Sequence, residues 1–238
     1  MKSQGQKAIR PFVLVNVAIT ADGKIAANDG APLRFSSRRD HEHLLALRAT
    51  ADAVMSGART IDRGPVTLGP GGMRYRRRRL KLGLAEYNLR VIVSGSGSVD
   101  PQSEIFRHRH SPILILTTGR APAARLRALR KLADEVKVCG AREVDFGRAL
   151  RWLGEEWGVK RLLCEGGGEL NDALFRRGWV DELHLTICPW IVGGRGTPTL
   201  SDGTGILTLA AAASFELKSS RRVADELFLL YCRHSRPE

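Results

Sequence analysis

The stretch Leu162-Leu163-Cys164-Glu165-Gly166-Gly167-Gly168-Glu169-Leu170 joins a short apolar run to a glutamate and three consecutive glycines. The apolar run predicts a buried β-strand, and the amphipathic pattern that follows the glycines predicts a helix. Three glycines let the backbone approach a ligand closely, and a helix N-terminus favours a negative charge. The stretch indicates a site for an anionic group such as a cofactor phosphate. The alternative is a strand-to-helix turn in which glycine serves only the backbone geometry.

Predicted strands and helices alternate on both sides of this stretch. Apolar runs predict strands at 12–18, 53–57, 90–94, 113–117 and 136–139, and apolar periodicity predicts helices at 38–49, 123–134 and 146–157. From residue 181 onward apolar and polar residues alternate, and 215–231 predicts two strands joined by a turn near 219–225. No Ser/Gly-rich linker divides the chain. Residues 1–238 are therefore expected to form one α/β domain, with a mostly parallel sheet and an antiparallel C-terminal portion.

Composition limits the protein classes that fit. Of 238 residues, 43% are hydrophobic and 26% are charged, which is typical of a soluble globular protein. No apolar run approaches the ~20 residues of a membrane span, so no membrane association is expected. Residues 1–10 are polar, lack a signal segment and are a candidate for a disordered tail. The four scattered cysteines have no metal-ligand spacing and favour a reducing, cytoplasmic location.

A basic run accounts for much of the formal net charge of +13, since residues 74–81 carry six positive charges. The surrounding segment, 62–89, is rich in Gly, Pro and Arg and predicts a long basic loop with room for a short helix. Such a run can lie solvated, attract a phosphorylated substrate or bind nucleic acid. RNA binding by Arg74–Lys81 is the least favoured of these, because no RNP-like motif, KH-type loop or zinc knuckle accompanies it.

Other catalytic motifs are incomplete. His41-Glu42-His43 lacks the second histidine of a zinc protease, because Leu45 stands where that histidine is needed. Gly95-Ser96-Gly97 follows a predicted strand but lacks the third glycine of a dinucleotide fingerprint. The zinc deaminase signature is absent from the sequence, and no metal site is predicted.

Four segments, one of which contains the three glycines, form an ordered pattern. Residues 16–26 read NVAITADGKIA, 47–60 read LRATADAVMSGART, 165–170 read EGGGEL with VDEL at 180–183, and 189–194 read PWIVGG. In order and spacing they resemble the riboflavin-pathway pyrimidine reductases, and above all the stand-alone reductases that lack a deaminase half. The resemblance implies a dihydrofolate reductase-like fold, a three-layer α/β/α arrangement, and a homodimer. It also implies an activity: NADPH would reduce a ribosylamino-pyrimidine phosphate to its ribitylamino product, with the hydride coming from the cofactor.

The resemblance implies two sides of a site. The cofactor side would comprise Thr60, Ser94, Gly95, Gly166, Gly167, Gly168 and Glu169. The substrate side would comprise Asn16, Asp22, Lys24 and Glu165, with Glu165 accepting hydrogen bonds from the pyrimidine. The alternatives are that Asp22-Gly23 forms only a turn and that Glu165 only caps the next helix.

The segment after Thr60 departs from the family pattern. It is one residue shorter, Gly64 stands where the family has an aspartate, and the arginine that would contact the substrate phosphate after Pro65 is missing. Asp62 is the candidate for the cofactor-side carboxylate, and Arg74 is the candidate for the phosphate contact. These departures keep a related NADPH reductase, acting on dihydrofolate or another pterin or pyrimidine, as an alternative.

Overall fold

A computed structural model describes residues 10–234, which form a nine-stranded sheet with helices on both faces. The strands are β1 (Phe12–Thr20), β2 (Ala53–Gly57), β3 (Leu89–Val93), β4 (Ile113–Thr117), β5 (Glu135–Val138), β6 (Arg161–Cys164), β7 (Glu182–Cys188), β8 (Phe215–Val223) and β9 (Glu226–Arg233). The α-helices are α1 (Arg38–Arg48), α2 (Ala58–Asp62), α3 (Met73–Lys81), α4 (Ala123–Leu132), α5 (Phe146–Trp157) and α6 (Gly168–Phe175). The predicted tail at 1–10 lies outside the described residues except for Arg10, which is paired with Asp181 at 2.6 Å.

The strand order is β5-β4-β3-β2-β6-β1-β7-β9-β8, and every pair from β5 to β7 is parallel. Strands β9 and β8 then pair antiparallel with β7 and with each other. This pairing confirms the predicted mostly parallel sheet with an antiparallel C-terminal portion. Strand β4 is buried at all five positions, as expected of a parallel strand covered on both faces. The C-terminal hairpin turns at Ala224 and Asp225 alone, more tightly than the predicted span of 219–225.

Two hydrophobic clusters lie on opposite faces of the sheet and confirm the three-layer arrangement. One cluster packs the sheet against α5 and α6, through residues such as Leu150 and Leu174. The other packs it against α1, α2 and α4, through residues such as Leu47, Ile61 and Leu129. Within residues 10–234, no helix has the length and apolar character that crossing a membrane requires.

The segment 62–89, predicted as a long loop with room for a short helix, contains such a helix at Met73–Lys81, which form α3. Tyr75 and Arg79 lie four residues apart, on one face of this helix, and both are buried. Arginine is a good helix former. The burial of Arg79 could not be predicted from the run itself, because arginine is rarely buried.

Candidate active site

A cavity of about 1520 Å³ opens at the carboxyl ends of the parallel strands. Its walls come from β1 and from the segments that follow β2, β3 and β6, including Asn16, Thr60, Ser94 and Glu165. Ligands of open α/β sheets bind in this crevice, because loops from neighbouring strands meet there. The cavity brings together all the predicted cofactor-side residues, but only Asn16 and Glu165 from the predicted substrate side.

The glycine turn leads directly into α6. Gly166 and Gly167 have φ values of +74° and +60°, in the left-handed region that glycine adopts without strain. Among residues 10–234, no acceptor is found for the backbone N–H groups of Gly167, Gly168 and Glu169, and α6 has no side-chain cap. A Cβ at Gly168 would collide with the Asp202 carboxylate. Gly168 is therefore required for the packing of the turn. The N–H groups without acceptors are available to bind an anionic ligand.

The other cofactor-side residues shape the walls of the cavity. Thr60 lies on α2 across from Gly167, where a Cβ would be 3.2 Å from the Thr60 hydroxyl. The Asp62 carboxylate accepts from the Asp100 N–H at 3.0 Å and from the Ser103 hydroxyl at 2.7 Å, so it fastens α2 to the segment after β3. The Ser94 hydroxyl donates to the Ser98 carbonyl at 2.9 Å, which closes the loop that contains Gly95. Glu169 forms an exposed ion pair with Arg59 at 2.9 Å.

Asn16, on β1, contributes a polar atom without a hydrogen-bond partner in the described part of the chain to the lining of the cavity. Its residue is 7% exposed, and its Oδ1 has no hydrogen-bond partner among residues 10–234. A buried acceptor without a donor costs about 1–3 kcal/mol, so a ligand or water that donates to it is favoured. Apolar side chains including Ile25, Phe35 and Leu44 stand nearby in the lining.

Glu165 does not cap α6, so that alternative is wrong. The N-cap residue is Gly167, and the Glu165 carboxylate instead accepts from Arg48, with Nε to Oε1 and Nη2 to Oε2 both at 2.5 Å. The two side chains are 11% and 12% exposed. Sequence reasoning missed Arg48 as the partner because 117 residues separate the pair. The available signal was an arginine that ends an otherwise amphipathic helix.

Asp22 and Lys24 lie outside the cavity lining. Asp22 accepts from the Thr20 hydroxyl at 2.5 Å, from the Gly193 N–H at 2.7 Å and from the Val192 N–H at 3.2 Å, and these bonds lower its pKa to about 2. It thereby joins the end of β1 to the segment after β7, and Gly23 turns the chain with φ +82°. This geometry agrees with the alternative in which Asp22-Gly23 forms a turn. Among residues 10–234, the Lys24 ammonium donates to one acceptor, the Thr197 carbonyl, at 3.5 Å.

The basic run also lies outside the cavity lining. Arg74 places its guanidinium 4.6 Å from the ring centre of Tyr75, on α3.

Arg63, which sequence reasoning passed over, does line the cavity, with its guanidinium over Gly30. Within the described residues Arg63 has no ion-pair partner, whereas the other cavity arginines are paired. These pairs are Arg59 with Glu169, Arg176 with Asp172 and Arg177 with Glu143. Arg63, and not Arg74, is therefore the lining arginine whose charge no ion-pair partner in the described residues neutralises.

Similarity to known proteins agrees with this architecture. The model of the RibD C-terminal domain matches residues 11–229. A 2,5-diamino-6-ribosylamino-4(3H)-pyrimidinone 5′-phosphate reductase of Methanothermobacter thermautotrophicus is 35% identical over 225 residues, which are 94% of this chain and 98% of that protein. The protein of the same name from Archaeoglobus fulgidus is 35% identical over 199 residues, 84% of this chain and 90% of that one.

Solved structures extend the likeness of fold. A pyrimidine reductase-like protein from Corynebacterium diphtheriae gives a TM-score of 0.77 at 24% identity, with 94% of this chain and 92% of that one covered. RibD of Acinetobacter baumannii gives a TM-score of 0.75 at 17% identity. There the match covers 95% of this chain and 59% of that protein. The family match over 11–229 and the relatives at 35% identity confirm the resemblance seen in the four motif segments, and the chain belongs to the RibD C-terminal domain family.

Proposed function

We propose that this protein is a reductase of riboflavin biosynthesis that uses NADPH to convert a ribosylamino-pyrimidine phosphate into its ribitylamino product. The observation that carries the proposal is the composition of the cavity. Free N–H groups at the glycine turn suit an anionic cofactor, and Asn16 and Glu165 supply hydrogen-bonding atoms for a polar ring. The names of the Methanothermobacter and Archaeoglobus relatives support the same substrate class.

The residues of the cavity would bind and orient the reactants. A bound nicotinamide cofactor would supply a hydride to the imine carbon of the opened ribose, and the imine nitrogen would gain one proton as it becomes an amine. The N–H groups of Gly167 and Gly168 would hold the cofactor's diphosphate, with Thr60 and Ser94 on the adjacent walls. Glu165 would accept hydrogen bonds from the amino and ring N–H groups of the pyrimidine. Holding the two reactants in one orientation removes much of the entropic barrier to the transfer.

Arg63 would contact the substrate phosphate. It is the cavity arginine without an ion-pair partner in the described part of the chain, and a guanidinium binds phosphate through both charge and paired N–H groups. This contact would replace the arginine that the family pattern has after Pro65.

Association of two copies belongs to the same proposal. Apolar residues Ile19, Ile187 and Leu227 are register partners on β1, β7 and β9 and therefore share one face of the sheet. Leu227 is 43% exposed, and Leu207 and Leu209 stand almost fully exposed in the segment before β8. Exposed apolar side chains of this kind favour an interface.

A steady-state assay on the purified protein tests the proposed reaction. The substrates are the ribosylamino-pyrimidinone 5′-phosphate, its deaminated counterpart and dihydrofolate, each with NADPH and with NADH. Cofactor oxidation with a phosphorylated pyrimidine, and a preference for NADPH, are expected. Turnover of dihydrofolate without turnover of either pyrimidine would instead establish the related-reductase alternative.

A further inference from the structure

Each of the three guanidinium nitrogens of Arg48 donates a hydrogen bond. Two of them go to the Glu165 carboxylate at 2.5 Å each, and the third goes from Nη1 to the Gly69 carbonyl at 2.7 Å. Arg48 is the last residue of α1, whereas Glu165 directly follows β6. The pair therefore joins the end of a surface helix to the floor of the cavity.

The two segments next to the Arg48 side chain, the C-terminal end of α1 and the chain before the Gly69 carbonyl, are themselves held in place. Arg79, from the basic run, is 1% exposed and donates to the carbonyls of Arg48, Ala51 and Ala85. Its charge thus stabilises the C-terminal end of α1, where unpaired carbonyls accumulate. On the other side, Leu68 adopts a left-handed φ of +55° while fully buried, which is costly for a leucine and turns the chain just before the Gly69 carbonyl that Arg48 binds.

We propose that Arg48 is a positioning residue for the reduction: it fixes the Glu165 carboxylate so that the carboxylate's remaining acceptor positions serve the substrate. An ionised carboxylate offers about four lone-pair sites, of which Arg48 occupies two. A bidentate guanidinium also fixes the plane of the carboxylate, which a lysine cannot do. The substrate edge that meets Glu165 must then carry N–H donors. This inference rests on the proposed function.

Four variants separate positioning from simple structural support: Arg48→Gln, Arg48→Lys, Glu165→Gln, and the double variant with both glutamines. The double variant leaves no unpaired buried charge, so it is expected to fold even if Arg48→Gln does not. Arg161→Gln is the matched control, because Arg161 forms an ion pair with Glu182 at 3.2 Å at the opposite end of β6 and does not line the cavity. The measurements are kcat and KM for the pyrimidine, the dissociation constant of NADPH and the thermal midpoint.

Arg48→Gln is expected to lower kcat/KM for the pyrimidine at least tenfold while NADPH binding changes less than twofold. Arg48→Lys should recover part of that loss, and the double variant should be no worse than Glu165→Gln alone, since the two residues act as a unit. Arg161→Gln should lower only the thermal midpoint. The inference is overturned if Arg48→Gln and Arg48→Lys keep kcat/KM within twofold, or if the losses of the two single variants multiply in the double variant. A wild-type protein that reduces no pyrimidine would overturn the proposed function itself.

Discussion

At the residue scale, Asp22 accepts three hydrogen bonds that favour its charged form and lower its pKa from 3.8 to about 2. A lowered pKa means that the carboxylate stabilises the fold above about pH 4, and that this contribution is lost as the pH falls toward 2. Asp22→Asn should therefore lower the thermal midpoint at pH 7. The difference from wild type should shrink between pH 4 and pH 2, as measured by thermal unfolding at each pH.

Asp225→Asn is the control for this prediction. Asp225 lies in the exposed turn between β8 and β9, and its charged contact is a 3.6 Å pair with Arg222. Its substitution should leave the midpoint nearly unchanged at every pH. A constant difference between Asp22→Asn and wild type across the same pH range would show that the charge of Asp22 is not what holds the two segments together.

Arg63 is the residue expected to distinguish phosphorylated from unphosphorylated substrate. Arg63→Gln should raise KM for the phosphorylated pyrimidine by tenfold or more, equivalent to about 1.4 kcal/mol, because a charge-assisted contact to phosphate is lost. KM for the unphosphorylated pyrimidine should change little. Arg74→Gln, on α3 and outside the cavity, is the control and should change neither value. An equal effect on both substrates would remove the phosphate assignment.

At the scale of elements, the turn between β6 and α6 is expected to decide cofactor affinity. Gly167→Val places a branched side chain beside the Thr60 hydroxyl and over the free N–H groups, so NADPH affinity should fall more than tenfold, or by more than about 1.4 kcal/mol. Gly158→Val is the matched control. Gly158 ends α5 with a similar φ of +63°, and a Cβ there meets nothing within 4 Å. Titration with NADPH should show a loss only for the Gly167 variant; unchanged affinity in a folded protein would remove the cofactor assignment.

Helix α3 is expected to be structural on one face and solvated on the other. Arg79→Gln removes donors from three carbonyls, and each buried carbonyl left unpaired costs about 1–3 kcal/mol, so the free energy of unfolding should fall by about 3 kcal/mol or more. The exposed neighbour Arg78 provides the control, since Arg78→Gln should change the free energy of unfolding by less than about 0.5 kcal/mol. Denaturant unfolding measures both. Equal stabilities would mean that Arg79 is solvated, as an RNA-binding run requires.

At the scale of the whole molecule, the apolar face of β1, β7 and β9 is expected to join two copies. Sedimentation or light scattering should give twice the mass of one chain. Leu227→Lys introduces a charge into that face and should yield monomers that retain their circular dichroism spectrum. Leu80→Lys changes a leucine that is 56% exposed on α3, so it should leave the dimer intact. A wild-type protein that is monomeric at assay concentrations would refute the association.

The alternation of most strands and helices along the chain, the mostly parallel sheet and the glycine turn were predictable from sequence. They depend on local signals: the apolar run at 162–164, the three glycines after it, and the periodicity of 146–157. Family motifs such as EGGGEL also identify a segment wherever its partners lie in the chain. Each of these signals lies within one element, so the chain determines it without reference to contacts between distant segments.

Tertiary structure decided which side chains meet. The pairing of Arg48 with Glu165, the burial of Arg79 and the placement of Arg63 in the cavity join residues that are remote in sequence or lie on a segment with no regular pattern. Asp22 matched a family motif, yet its carboxylate accepts from the Gly193 N–H and does not line the cavity. Composition shows that an arginine or aspartate is charged. The packing of α1, α3 and the strand ends decides where the charged group lies and which residues it contacts. A long side chain takes the orientation in which its buried polar atoms form hydrogen bonds.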